Sequence, residues 1–284
     1  LLTVGVCVSC RSAKNNLEKR LEYSLKSLKI LSSIFDENNL KIAKVYNQIG
    51  ACYFDMEHIT EALNEHEKAL KIQEKNAQNH PDIATTYAHI AKCYCYENNV
   101  KKALIFYEKA LNLGRSLFGR NHIFVATICR FIGDIYAKNQ AYNKSLNYYQ
   151  QALTSHIHTY VGLDIYETNI PTNHYPSVEL LQVLNNKAAI FFKLYLHKSL
   201  NIKDLKTSFY IYKTCSELIA NMQKSYKSEG SKLVLFDKMA ESYTNAIDVC
   251  KTLYDLTENK EYVYHAFCFA EQGKAIVLLS HVRE

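Results

Sequence analysis

The chain has 284 residues, with 34 Lys plus Arg against 28 Asp plus Glu for a net charge of +6, and it carries 8 Gly, 3 Pro and 9 Cys. So few helix breakers, with no alternating strand segments between turn signals, exclude β-rich and mixed classes and leave an all-α chain. A mild positive charge dispersed among acids excludes a dedicated nucleic-acid surface, and an odd cysteine total points to reduced thiols and a cytoplasmic setting.

In chain order, residues 1–14 open with LLTVGVCVSC, for which two readings stand. The apolar run ending in small residues has the form of the end of a cleaved signal, and Val8, Ser9 and Cys10 resemble the tail of a lipoprotein signal; that would make the protein exported or lipid-anchored. The other reading is a partial helix. No apolar run reaches the roughly 18 residues of a membrane-spanning helix.

Residues 15–158 carry an internal repeat. EALNEHEKALKI at 61–72 returns as KALIFYEKALNL at 102–113 and KSLNYYQQALTS at 144–155, shifts of 41 and 42 residues, and RLEYSLKSLKI at 20–30 is an earlier, more degenerate copy. Within each copy the apolar and small residues fall at offsets that share one helical face. A second amphipathic stripe precedes each copy: Ala43, Tyr46, Ile49, Gly50 and Tyr53, matched by Ala84, Tyr87, Ile90, Ala91 and Tyr94, then by Ala126, Cys129, Ile132, Gly133 and Tyr136. Each unit is thus two helices joined by a turn, at EHIT, ENNV or NQAY, and Pro81 suits the first turn of a new helix. Gly50, Ala91 and Gly133 on the first helices, with Ala62, Ala103 and Ser145 on the second, are expected to let paired helices approach closely. A fixed period of this size marks a stacked repeat array.

The order Tyr46, Ile49, Gly50, Tyr53, Ala62, His66, Ala69 resembles the tetratricopeptide repeat. That repeat has a period of about 34 residues, so the longer spacing here is similar to the elongated repeats of kinesin light chains. The resemblance implies an all-α solenoid of antiparallel helix pairs in a superhelix, with a protein or peptide bound along the first helices. Carried over position by position, the groove residues are Lys44, Asn47, Gln48 and Ala51; Thr85, Ala88, His89 and Lys92; and Thr127, Arg130, Phe131 and Asp134. Ala51, Thr127 and Phe131 stand where a clamp for a chaperone's terminal carboxylate would need polar or basic groups, so that ligand is not expected.

The period fails after residue 158. Residues 159–176, with two of the three prolines, read as a long loop, and 177–284 as longer helical hairpins. Ala266, Phe267, Ala270, Glu271, Lys274, Ala275, Leu278 and Leu279 resemble the segment that leads into the caspase-like domain of CHAT proteins, where tetratricopeptide repeats precede that domain. The resemblance implies a sensing or regulatory region; a stand-alone adaptor similar to kinesin light chains is the alternative.

A cysteine hydrolase is the reading from a different class. His66, His89 and His265 are candidate bases, yet all lie within helical patterns, as do the cysteines, and no strand-to-loop context exposes a nucleophile. Cys93 and Cys95, two apart on one helix, diverge, and no second pair completes a zinc site. The expectation is a non-catalytic scaffold without cofactor or metal, binding protein or peptide and no nucleic acid.

Overall fold

The computed structural model describes residues 2–76, 79–157, 160, 162, 164–168, 177–225 and 229–281, with side chains from residue 16 and, in the last third, for 177–223 and 241–274. Eleven helices and no strand occur among the described residues. They are α1 (Leu2–Ile34), α2 (Leu40–Asp55), α3 (Ile59–Asn76), α4 (Pro81–Tyr96), α5 (Val100–Phe118), α6 (Ile123–Lys138), α7 (Tyr142–His156), α8 (Val178–Leu194), α9 (Ile202–Ser225), α10 (Glu229–Thr257) and α11 (Lys260–His281). They fall into two compact units, Leu1–Arg120 with α1 to α5 and Asn121–Glu284 with α6 to α11.

In the first unit α2 pairs with α3 and α4 with α5; in the second, α6 pairs with α7, α8 with α9 and α10 with α11. First helices also touch each other, α2 with α4 in one unit, and α6 with α8 and α8 with α10 in the other. They therefore form one face of each unit.

Three turns inside the pairs share one backbone device. Glu57, Asn98 and Gln140 sit in the left-handed region at φ 63°, 59° and 58°. The next amide then donates to a carbonyl five residues back: His58 to Tyr53 at 2.9 Å, Asn99 to Tyr94 at 2.8 Å and Ala141 to Tyr136 at 2.9 Å. Otherwise orphaned carbonyls at the helix end are thereby satisfied. The starts of α4 and α6 repeat too: His80 Nδ1 accepts from the Asp82 amide at 3.2 Å and His122 Nδ1 from the Phe124 amide at 3.1 Å. Pro81 occupies the first turn of α4, as its missing N–H predicts.

The small residues lie at the helix contacts. Ala62, Ala91, Ala103 and Ser145 are fully buried. A methyl group added at Gly50 would come within 2.7 Å of the His66 ring, and one at Gly133 within 2.6 Å of the Tyr149 ring. Each ring therefore packs directly against a glycine, at the register position that Tyr107 fills in the middle repeat. Beside these contacts Ile42, Ala43, Ala69 and Ile72 form an apolar cluster covered by Leu28, Leu31, Phe35 and Tyr46, and it joins α1 to the first pair.

In the second unit Ser177 caps α8 through the Leu180 amide, and a single π turn, Tyr195–Ser199, follows its end. Most of the predicted loop 159–176 lies outside the described residues, as do the side chains of residues 1–14 and those of Ala275, Leu278 and Leu279. Among the described residues no helix is long and apolar enough to cross a membrane.

Candidate functional site

On the first-helix face of the first unit, Lys44, Gln48, Thr85 and Lys92 are exposed. Asn47 and His89, their neighbours in register, are drawn inward. The Asn47 amide donates to Thr86 Oγ1 at 2.6 Å, its carbonyl oxygen meets His66 Nδ1 at 2.9 Å, and the Thr86 hydroxyl lies 2.8 Å from Gln73 Oε1. Thr86, Gln73 and His66 are buried. Asn47 thus ties α2 to α3 and α4, and only its flank faces outward. The His89 ring stacks on His66 with centroids 4.9 Å apart. Lys92 sits over the Phe54 ring at 4.2 Å, a cation–π contact that holds the ammonium on the face without neutralising it.

A cleft of about 620 Å³ opens beside Gln48 and Ala51, walled on the α1 side by Arg20, Tyr23 and Ser24. At its end Arg20 Nη2 pairs with Asp55 at 2.5 Å, while Arg20 Nε donates to the Cys52 sulfur at 3.1 Å. The sequence reading missed both charged residues. Asp55 follows Gln48 and Ala51 at helical spacing and could have been found; Arg20 sits in the degenerate copy, where no register position marks it.

The second unit treats its predicted residues differently. Arg130 Nη1 pairs with Asp134 Oδ2 at 2.9 Å, and Asp134 Oδ1 also accepts from the Tyr149 hydroxyl at 2.6 Å and the Asn186 amide at 2.8 Å. Burial pushes the Asp134 carboxyl above its ordinary value, against the three donors that favour its charged form. Thr127 turns its hydroxyl to the Ile123 carbonyl at 2.9 Å, and the Arg130 guanidinium lies 4.2 Å from the Phe131 ring centre. Arg130 and Asp134 are mutually engaged, and Asn186 of α8 extends their network to the next first helix.

Tetratricopeptide repeat profiles match residues 42–82 and 82–156. The chain thus carries tetratricopeptide repeats over residues 42–156. Its fold is similar to that of BtubC (BKLC) from P. vanneervenii, at 16% identity and a TM-score of 0.68, covering 94% of this chain and 93% of that one. The kinesin light chain with "nearly identical TPR-like repeats" from Podosopora anserina gives 13% identity and a TM-score of 0.57, covering 77% and 94%. The quorum sensor NprR from B. thuringiensis gives 14% and 0.53, covering 90% and 72%. None of the curated proteins matches the sequence.

Behind the first-helix face of the second unit lies one more charged group. Lys187 of α8 is fully buried; its ammonium donates to Gln150 Oε1 at 2.7 Å and reaches the Glu167 carbonyl at 3.5 Å. Gln150 in turn donates to the Gly162 carbonyl at 2.7 Å and the Tyr160 oxygen at 3.1 Å, so this lysine anchors the chain after α7. No carboxylate forms an ion pair with it among the described residues, and burial pushes its pKa down to about 7.

Five of the described thiols are engaged in packing. Cys52, Cys93, Cys129, Cys215 and Cys250 are buried, and burial pushes Cys93 and Cys250 up to about 12 and Cys215 upward as well. A thiol held so far above neutrality supplies no thiolate. His66 contributes a pH dependence instead. Burial, with the charges of His89 and Lys92, lowers its pKa from 6.5 to about 3. The unfolded chain therefore takes up a proton below pH 6.5 that the folded chain refuses down to about pH 3. Stability is expected to fall by about 2 kcal/mol between pH 7 and pH 5 through this residue. Urea unfolding at both pH values checks this, and His66→Phe should show a correspondingly smaller fall; an equal fall in both proteins refutes the assignment.

Proposed function

We propose that this protein is a non-catalytic scaffold that binds an extended peptide segment of a protein partner on the faces formed by its first helices. One observation carries the reading: Lys44, Gln48, Thr85 and Lys92 stand exposed on α2 and α4, although the polar side chains between them are absorbed into the fold. Amide and ammonium donors along a rigid helical face suit a peptide's carbonyls and acidic side chains. The burial of Cys93, Cys215 and Cys250, whose thiols are held protonated, supports a binding role over a hydrolytic one at those positions.

The test is to pan a displayed random-peptide library over the full chain and to measure the enriched peptides by fluorescence polarisation. For peptides held by the first unit, Lys44→Glu combined with Lys92→Glu should weaken binding at least about tenfold, the scale of one or two charge-assisted hydrogen bonds. Failure to enrich any peptide, or equal affinity in the charge-reversed protein for every one enriched, overturns the reading for that face.

The narrower reading is a regulatory region governing a caspase-like domain. Its support is the pattern around Ala266, Phe267, Ala270, Glu271 and Lys274, together with a surface on α11 where Val263, Tyr264 and Phe267 are each at least half exposed. A stand-alone adaptor like kinesin light chains is the competing reading. An open frame encoding a caspase-like His and Cys beyond Glu284 selects the first, and a stop codon there the second.

A further inference from the structure

We propose that the pocket between α8, α9 and α10 holds an arginine side chain of the bound peptide; the proposal rests on the peptide-binding reading and adds a specificity to it. The pocket has a volume of about 190 Å³ and lies wholly within the second unit. Tyr212 of α9 forms its buried floor; the residue is only 2% exposed, and its hydroxyl meets no partner in full hydrogen-bond geometry among the described residues. The Asn245 side chain of α10 comes near enough to that oxygen to pull the phenol's pKa down against the larger upward push of burial, yet the pair does not meet full hydrogen-bond geometry. A buried hydroxyl left without a partner opposes folding by about 1–3 kcal/mol. A donor brought by a ligand removes that penalty.

The walls specify which donor. Leu181 offers an apolar side to a methylene stem, and Glu241 at the exposed rim is the one charged residue lining the pocket among the described residues. Asn186 donates its amide to Asp134, which leaves its own carbonyl oxygen as an acceptor. The pocket therefore presents several neutral oxygens and one carboxylate. A guanidinium carries five donors in a planar fork and is weakly hydrated, so it can meet dispersed oxygens at once; an ammonium loses more hydration for fewer contacts. An acidic side chain would be repelled by Glu241, and an apolar one would leave the Tyr212 hydroxyl orphaned.

Peptides enriched by panning the full chain decide the matter. The expected result is a motif with arginine at one position, whose replacement by alanine weakens binding to the wild type about tenfold, the scale of a charge-assisted hydrogen bond. Tyr212→Phe and Glu241→Gln should each remove most of that difference while the alanine peptide binds them as it binds the wild type. Tyr212→Phe keeps the ring, so circular dichroism should report an unchanged helix content. A motif without arginine, or an arginine dependence that survives in both variants, overturns this assignment and leaves peptide binding standing. A library that yields no binder overturns both.

Discussion

Replacing Lys187 by methionine is expected to raise the unfolding free energy at pH 7 by about 2–3 kcal/mol. In the folded chain this ammonium has a pKa of about 7 against an ordinary 10.5. The unfolded chain keeps the proton up to pH 10.5, whereas the folded chain loses it near pH 7, so stability rises with pH through that window. At about 1.4 kcal/mol for each pKa unit, burying the amine opposes folding at pH 7 by about 4 kcal/mol. Methionine removes this term and keeps the apolar stem, but it orphans Gln150 Oε1, which takes back about 1–2 kcal/mol. Urea titrations at pH 7 and pH 10 check the sign: the variant's advantage should vanish at the higher pH. A variant less stable than wild type at pH 7 would mean that the buried amine is charged and fully satisfied.

The second large effect concerns helix approach. Gly133→Val should reduce stability by about 3 kcal/mol, the upper end for overpacking. Its first added carbon would already lie 2.6 Å from the Tyr149 ring. That ring cannot retreat freely, because its hydroxyl is held by Asp134 at 2.6 Å and the side chain is buried. Denaturant unfolding measures the loss, and adding Tyr149→Ala to the valine variant should give a total smaller than the two single losses combined. A loss under about 0.5 kcal/mol, the range of an unconstrained surface change, would show that α6 and α7 do not nest at this point.

The helix pairs were legible because each depends on local information repeated three times: a 3.6-residue apolar stripe, a small residue at the contact and a turn at fixed spacing. The left-handed residues of those turns were not, since no glycine marks them: the positions hold Glu57, Asn98 and Gln140. Their conformation follows from the helix-end hydrogen bonds, which any sequence can make. The face was legible only in part. Family register placed Lys44, Gln48, Thr85 and Lys92 on it, and all four are exposed, but register alone cannot tell an outward amide from one bonded across helices, and Asn47 is of the second kind. Lys187 was invisible for the same reason: an ordinary-looking lysine in QVLNNKAAIFFKL becomes buried only because residues beyond α7 fold over it. The stripe Gln182, Asn185, Asn186 and Ala189 in that segment has helical spacing and could have been read as a continuation of the polar face.

The buried thiols have a use that is independent of what the protein binds. Cys52, Cys93, Cys129, Cys215 and Cys250 place one inaccessible sulfur in each of α2, α4, α6, α9 and α10. A sulfur in that position reacts only when its helix swings open, so the rate at which each is alkylated reports the opening free energy of that segment. The unaltered molecule is thus its own set of five reporters, able to rank its helices from the first to fray to the last to melt.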